Sequence, residues 1–155
     1  MRNFLVPAFV LTLIFTLKVE AMSLFNIGKT CVFSEVRIQI MSEGKPVSNA
    51  LVTRQWDWNK RGKDESKTDA EGYVSFPAVY ESSVSRLLPT ELVIGQQLSV
   101  TFNGEEKEIW TNSKREPEEN SEYGGKLFEA ECELTDEEVL IEEYGSLMVT
   151  VCKLK

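Results

Sequence analysis

Carboxylate side chains are the residues of this sequence that could most directly do chemistry. Glu129, Glu131 and Glu133 alternate along one segment, and alternation in a strand places side chains on one face about 7 Å apart. A second group of glutamates occupies residues 105–108. Paired carboxylates can hydrolyse glycosides, and converging loop oxygens can bind calcium. Because no calcium loop is visible and a small β domain leaves little room for a glycosidase cleft, we interpret these glutamates as a solvated face.

The sequence contains no histidine, and this absence excludes several classes of catalyst. Neither a Ser-His-Asp nor a Cys-His arrangement can form, and zinc cannot be bound by imidazole. The motifs G-x-x-x-x-G-K-[ST] and G-x-S-x-G do not occur either. Catalysis would have to depend on carboxylate, lysine or tyrosine side chains. We therefore predict that the protein is not an enzyme and uses no metal or cofactor.

Two tryptophans and two arginines form a candidate recognition centre. Arg54, Trp56 and Trp58 share the strand parity of the aliphatic positions that precede them, which favours burial of both tryptophans. In the alternative interpretation the strand bulges and presents Trp58 together with Arg54 and Arg61. Trp and Arg contribute strongly to the energy of protein interfaces, so this second interpretation predicts a binding site.

The chain is acidic, with a formal net charge of −8. Its charged segment 111–123 (TNSKREPEENSEY) contains Glu116, Glu118, Glu119 and Glu122, and we predict a solvated loop there. An acidic surface repels nucleic acid and anionic lipid and attracts basic proteins. These four glutamates are therefore the predicted rim of a site that binds a basic protein partner.

Three cysteines bear on the compartment and on the fold. An oxidising compartment favours one disulfide and one remaining thiol. Cys132 and Cys152 lie on candidate strands near the C-terminus, and we predict that they pair, which would contribute about 3 kcal/mol in the chain-entropy model. Pairing of Cys31 with either of the others is the alternative. Cys31 as a nucleophile would lack a histidine to activate it.

Residues 1–21 have the pattern of a cleavable secretory signal. Arg2 is followed by an uncharged, mostly apolar run over residues 4–17 and then by Val19-Glu20-Ala21 at the expected cleavage site. A helix of that run would span roughly 21 Å, less than the ~30 Å of a bilayer core. An uncleaved anchor is the alternative. Cleavage would leave residues 22–155 as one domain in the periplasm or outside the cell, with 15 basic and 24 acidic residues out of the original 17 and 25.

Hydrophobic alternation with the period of strands dominates these residues. The segments concerned are Val32–Met41, Gly44–Val52, Tyr73–Phe76, Gln97–Phe102, Lys107–Trp110, Lys126–Leu134 and Ser146–Leu154. Asn103-Gly104 is a hairpin signal, and Asp69 with Gly72 predicts a tight turn in which the glycine adopts a positive φ. The pattern predicts an all-β fold, namely an antiparallel β-sandwich of seven to eight short strands.

Several short motifs resemble those of a known domain family. Gly44-Lys45-Pro46-Val47 with Ala50 and Val52, then Thr68-Asp69 and Gly72-Tyr73-Val74-Ser75-Phe76, resemble the signature of transthyretin-like (prealbumin-like), carboxypeptidase-regulatory-like domains. Trp56-Asp57-Trp58 and the segment Cys132–Glu137 (CELTDE) are similar to a family of small Gram-negative bacterial proteins with that core. The resemblance implies a transthyretin-like sandwich over residues 31–155, and its motifs specify turns and core positions rather than an active site.

Together these features predict an exported, non-catalytic binding protein. The specific hypothesis is an immunity-type protein that binds and neutralises a periplasm-acting antibacterial toxin. The alternative is a small-ligand or glycan-binding module of the cell envelope, in which Trp58, Trp110 and Tyr80 would form stacking platforms.

Overall fold

A computed structural model describes residues 28–82 and 91–155, and these residues are all-β. The predicted signal at residues 1–21 lies outside them. The described residues form thirteen strands: β1 (Lys29–Phe33), β2 (Val36–Ser42), β3 (Lys45–Pro46), β4 (Leu51–Asp57), β5 (Arg61–Lys67), β6 (Tyr73–Phe76), β7 (Val79–Ser82), β8 (Ile94–Phe102), β9 (Glu105–Lys114), β10 (Phe128–Glu133), β11 (Val139–Ile141), β12 (Met148–Thr150) and β13 (Cys152–Leu154). No helix long and apolar enough to cross a membrane occurs within the described ranges.

The all-β prediction is confirmed, but the strands are more numerous than predicted. The predicted strand Val32–Met41 is interrupted at residues 34–35, which separates β1 from β2. The C-terminal strand is interrupted at Val151. Strand β5 was not predicted at all, because every residue of Arg61–Lys67 except Gly62 is polar or charged. It forms nevertheless because it pairs along its whole length with β4 at the edge of a sheet.

Six strands form the larger sheet, in the order β11-β12-β9-β8-β4-β5, and all of its pairs are antiparallel. The Asn103-Gly104 hairpin signal is confirmed: this pair joins β8 to β9 with φ of 53° and 81°, as a type I′ turn requires. The second sheet has the order β13-β10-β2-β3, with β6 also paired to β2. Its β2–β10 pair is parallel, whereas β1 and β7 form a separate two-stranded sheet.

The core lies between the sheets in a sandwich-like arrangement. Trp110 of β9 is 0% exposed and contacts Phe33 and Phe128 at ring-centroid distances of 5.5 and 4.9 Å. Trp110 therefore cannot be a surface stacking platform, and that part of the glycan hypothesis is wrong. Cys132 and Cys152, on the paired strands β10 and β13, form the predicted disulfide. Cys31 remains a buried thiol.

The predicted turn after Asp69 is also confirmed. The Asp69 carboxylate accepts hydrogen bonds from the backbone N–H groups of Glu71 and Tyr73 at 3.0 and 2.8 Å. Gly72 has φ +80°, and a Cβ added to it would lie 2.5 Å from the backbone oxygen of Ile40. Only glycine fits this turn without displacing β2, since both the backbone conformation and the close approach oppose a side chain.

Candidate binding surface

The strand registers bring two predicted elements to one end of the six-stranded sheet. Asp57, the last residue of β4, pairs with Gly95 near the start of β8, and Gly95 in turn pairs with Ser113 near the end of β9. The β4–β5 hairpin, which carries Trp58 and Arg61, therefore leaves the sheet at the same end as the loop that follows β9. We call this region the loop end: residues 57–61, 91–95 and 113–120.

A groove lies on the outer face of the sheet beside the loop end. Its volume is about 380 Å³, and its polar lining includes Gln55, Gln97 and Thr111, which are aligned across β4, β8 and β9. Gly95 also lines it and contributes no side chain to the adjoining row, which helps to open the groove. Arg61 stands at the edge with an 88% exposed side chain, and its Nε donates to Asp57 Oδ2 at 2.8 Å.

The structure separates the two tryptophans of the predicted centre. Strand β4 pairs without interruption from residue 51 to residue 57 on both sides, so the predicted bulge does not exist. Trp58 lies beyond the strand, half-buried in the hairpin. Trp56 faces inward, packs partly against the core and donates from Nε1 to Glu81 at 2.9 Å. Trp56 nevertheless lines the groove together with Arg61. Trp58 lies in the turn of the β4–β5 hairpin, three residues before Arg61.

Arg54 does not belong to this surface, and its prediction as a partner-binding residue is wrong. Its side chain is 0% exposed because strand parity directs it into the core. The guanidinium donates to Asp64 Oδ1 at 2.9 Å and to the carbonyl oxygen of Pro77 at 2.7 Å. It also stacks over the rings of Phe33 and Phe76 at 5.1 and 4.9 Å. Arg54 is thus a core residue whose donors bind within the domain.

The structure corrects the predicted acidic rim at one of its four positions. Glu116, Glu118 and Glu119 are exposed at the loop end, but Glu122 is buried with 0% side-chain exposure. Strand β9 continues to Lys114, so the loop is shorter than predicted. A 3-10 turn, Ser121–Tyr123, then directs Glu122 inward. Glu122 therefore holds the loop from the interior of the domain and cannot contact a partner.

Glu122 is held in a buried polar cluster. Its Oε2 lies 3.0 Å from Lys114 Nζ and accepts from Ser34 Oγ at 2.6 Å. Its Oε1 accepts from the backbone N–H of Ser34 at 3.1 Å and from Gln96 Nε2 at 2.9 Å. Ser34 Oγ also accepts from the backbone N–H of Asn120 at 2.7 Å. The cluster thus ties β1, β8 and β9 to the base of the acidic loop.

The electrostatics of the cluster favour a charged Glu122. Burial alone would raise the pKa of Glu122, but the Lys114 ammonium and the hydrogen bonds from Ser34 and Gln96 outweigh it, so the pKa lies below its ordinary value. The neighbouring Cys31 thiol lies 3.8 Å from Ser34 Oγ. Burial is the main cause that raises the pKa of Cys31 to about 11, which keeps it protonated at neutral pH.

The alternating glutamates of β10 have defined partners, which the solvated-face interpretation did not anticipate. Glu129 pairs with Arg37 at 3.3 Å, and Glu131 with Lys155 at 3.7 Å. Burial opposes ionisation of Glu133, yet the hydrogen bonds from Thr135 and from backbone N–H groups of the β2–β3 turn together outweigh it and lower its pKa to about 2. Within the described part of the chain, no group of three or more acidic or cysteine side chains is arranged to hold a metal ion.

The match to known sequences covers most of the sandwich. The family described as "Domain of unknown function (DUF6795)" matches residues 36–137. The chain belongs to this family. No curated protein and no solved structure matches the chain.

The DUF6795 region runs from β2 through β10. It therefore contains the β4–β5 hairpin, the groove and the acidic loop. Cys132 lies inside the matched region and its disulfide partner Cys152 outside it.

Proposed function

We propose that the protein binds another protein, of basic surface charge, through the loop end of its six-stranded sheet. The observation that carries this proposal is the joint placement of Trp58 and Arg61 with the exposed Glu116, Glu118 and Glu119 at that end. A central aromatic and arginine pair with a charged rim is the composition expected of an interface. The specific form of the proposal is an immunity-type protein that neutralises a periplasm-acting antibacterial toxin.

The anchoring of the acidic loop supports this proposal. The buried Lys114–Glu122 pair joins the two ends of the loop, and the backbone N–H of Cys31 donates to the carbonyl oxygen of Pro117, in its middle, at 2.9 Å. A loop that is already ordered loses little conformational entropy on binding. Its exposed carboxylates would accelerate encounter with a basic partner, with an effect that weakens as salt rises.

The compartment and the fold family are part of the same proposal. Export to the periplasm is supported by the signal pattern of residues 1–21, and the Cys132–Cys152 disulfide is compatible with an oxidising compartment. A transthyretin-like arrangement is supported by the Asp69–Gly72 turn, which lies where the motif resemblance requires it, and by two packed sheets.

A second candidate function, binding of a small ligand or glycan, is favoured by the groove beside Arg61. Its side-chain amides from Gln55 and Gln97 and the hydroxyl of Thr111 are groups that bind sugars. Trp56 lines the groove, and Trp58 of the adjoining hairpin is the stacking residue predicted from the sequence. With Trp110 buried, this candidate has fewer aromatic platforms than predicted, and we place it second.

Capture followed by kinetics tests the proposal. Tagged protein is incubated with periplasmic and secreted proteins of the producing cells, and any retained protein is purified for rate measurements. Glu116→Lys with Glu118→Lys is expected to slow association at least tenfold at low salt and to flatten its salt dependence. The control, Glu71→Lys with Glu105→Lys, changes the net charge equally at exposed positions away from the loop end and should leave association nearly unchanged.

Trp58→Ala is expected to raise the dissociation rate at least tenfold while changing association little. Tyr73→Ala is its control, because Tyr73 is 47% exposed on the other sheet. If both charge variants slow association equally, the loop end is not the site. If no protein is retained while a glycan array gives hits that Trp58→Ala abolishes, the groove function replaces the proposal.

A further inference from the structure

The two edges of the six-stranded sheet differ in chemical character. Strand β5 forms one edge, and it carries a charged side chain at five of its seven positions: Arg61, Lys63, Asp64, Glu65 and Lys67. Charged residues within an edge strand are a common protection against pairing with another chain. Strand β11 forms the other edge, and all three of its residues, Val139, Leu140 and Ile141, are apolar. The charged residues of β5 therefore protect that edge against pairing with another chain, whereas β11 has no charged residue of its own.

The apolar side chains at the β11 edge are open to solvent. Val139 is 53% exposed and Leu140 58%. Leu140 pairs with Val149 of β12, and Leu147, 55% exposed, shares the face of Val149 by strand alternation. Leu140, Leu147 and Val149 thus form an apolar strip along the outer face of the sheet, with nothing packed over it from the described residues. A strand added beside β11 would extend the sheet and cover Leu140.

Acidic residues bracket this edge on both sides. Glu137 and Glu138 precede β11, Glu142 and Glu143 follow it, and none of the four forms an ion pair within the described ranges. Asp136, by contrast, is bound by Lys153 at 2.6 Å. Antiparallel pairing of two copies through β11 would bring eight glutamates together, so the charges oppose self-association. The same charges attract an extended segment with basic residues at both of its ends.

We propose that β11 is a docking edge for an extended segment of a basic partner, which adds as a further strand beside Val139–Ile141. The segment would carry about three β-forming residues opposite β11, flanked by Lys or Arg opposite the two glutamate pairs. Backbone hydrogen bonds to β11 would fix its register, and the charges would select it over neutral or acidic strands. The inference rests on the proposed function for the basic character of the partner, but uses a different surface from the loop end.

A synthetic peptide provides the direct test. Its sequence is two lysines, Val-Thr-Val and two lysines, with a fluorescent label, and its anisotropy is followed as the purified chain is added. Saturable binding is expected, together with shifts of the backbone amide resonances of residues 139–141. Leu140→Lys should weaken binding at least tenfold. Leu127→Lys should change it less than twofold, because Leu127 is equally exposed, at 59%, but lies on no acidic edge.

Two peptide controls separate strand addition from simple charge attraction. A peptide with glutamates in place of the lysines, and one with proline at the central position, should bind at least tenfold more weakly. Equal binding of the proline peptide, or equal loss in the two leucine variants, overturns the inference. A dimer in sedimentation velocity that Leu140→Lys dissolves would make a second copy the occupant and overturns it as well. If the peptide does not bind while the loop end still binds a partner, this inference alone is refuted. If the peptide binds at β11 while the loop-end variants have no effect on partner binding, the proposed function alone is refuted.

Discussion

Removal of the Glu122 charge tests whether the buried cluster stabilises the domain. The matched control is Glu65→Gln, because Lys114–Glu122 and Lys63–Glu65 have the same Nζ–Oε distance of 3.0 Å. The two pairs differ in environment: Lys114 and Glu122 are 1% and 0% exposed, whereas Lys63 and Glu65 are 65% and 41% exposed. Any difference in stability between the two glutamine variants therefore reports the burial of Glu122 and the hydrogen bonds that it accepts from Ser34 and Gln96, not the distance between the two charges.

The expected magnitude follows from what each substitution leaves behind. Glu122→Gln leaves the Lys114 ammonium buried without a counter-charge, and removal of one partner from a buried pair costs about 3–5 kcal/mol. For a domain of this size that loss lowers the melting temperature by roughly 10–20 °C. Glu65→Gln breaks an exposed pair and should change stability by less than about 1 kcal/mol. Thermal unfolding followed by circular dichroism measures both.

The pH dependence supplies a second readout with a defined sign. Because the folded-state pKa of Glu122 lies below the ordinary value of 4.5, its ionised form stabilises the fold above pH 4.5. That contribution is lost as the pH falls from 4.5 through the folded pKa. The stability difference between wild type and Glu122→Gln should therefore be constant from pH 5 to 8 and shrink below pH 4.5.

A second substitution tests the coupling between the two charges. Adding Lys114→Met to Glu122→Gln removes the uncompensated cation, so the double variant should be at least as stable as Glu122→Gln alone. Equal destabilisation by Glu122→Gln and Glu65→Gln, or a stability difference that grows in acid, would refute the reasoning.

The remaining predictions concern a turn and a thiol. In urea unfolding, Gly72→Ala should destabilise the protein by at least about 1–2 kcal/mol more than Gly104→Ala. Both glycines have φ near +80°, but a Cβ at Gly104 meets nothing within 4 Å, whereas a Cβ at Gly72 lies 2.5 Å from Ile40 O. Equal losses of stability in the two variants would show that the contact between a Cβ at residue 72 and Ile40 O is unimportant. Cys31, whose burial raises its pKa to about 11, should react with iodoacetamide at pH 8 only after unfolding; rapid labelling of the folded protein would contradict its burial.

Features specified by neighbouring residues could be predicted from the sequence. The Asn103-Gly104 hairpin and the Asp69–Gly72 turn depend on the backbone preferences of a few adjacent residues. The alternation in β2, β8 and β10 follows from one buried face, and this was sufficient for the all-β prediction. The Cys132–Cys152 pairing was favoured because both cysteines lie on strands near the C-terminus, although the sequence left the alternatives with Cys31 open.

Burial of charged side chains depends on partners that are distant in sequence, and only the tertiary structure decides it. Glu122 was predicted to be exposed because its neighbours are charged. Its burial requires Ser34, 88 residues away, and a strand β9 long enough to place Lys114 inside. The parity of Asn112 and Lys114 with Trp110 was a signal that could have extended that strand.

For Arg54, the strand pattern and the charge of the side chain gave conflicting predictions. Its parity with Val52 indicated burial, and its charge suggested an interface. The fold resolves this by supplying Asp64 from the neighbouring strand β5, a strand that hydrophobic alternation could not reveal. The sequence alone therefore determined which segments become strands with a buried face and which residues form the turns. Sheet pairing decided which charges meet inside and which are left at the loop end, because a buried charge is stable only when folding brings its partner to it.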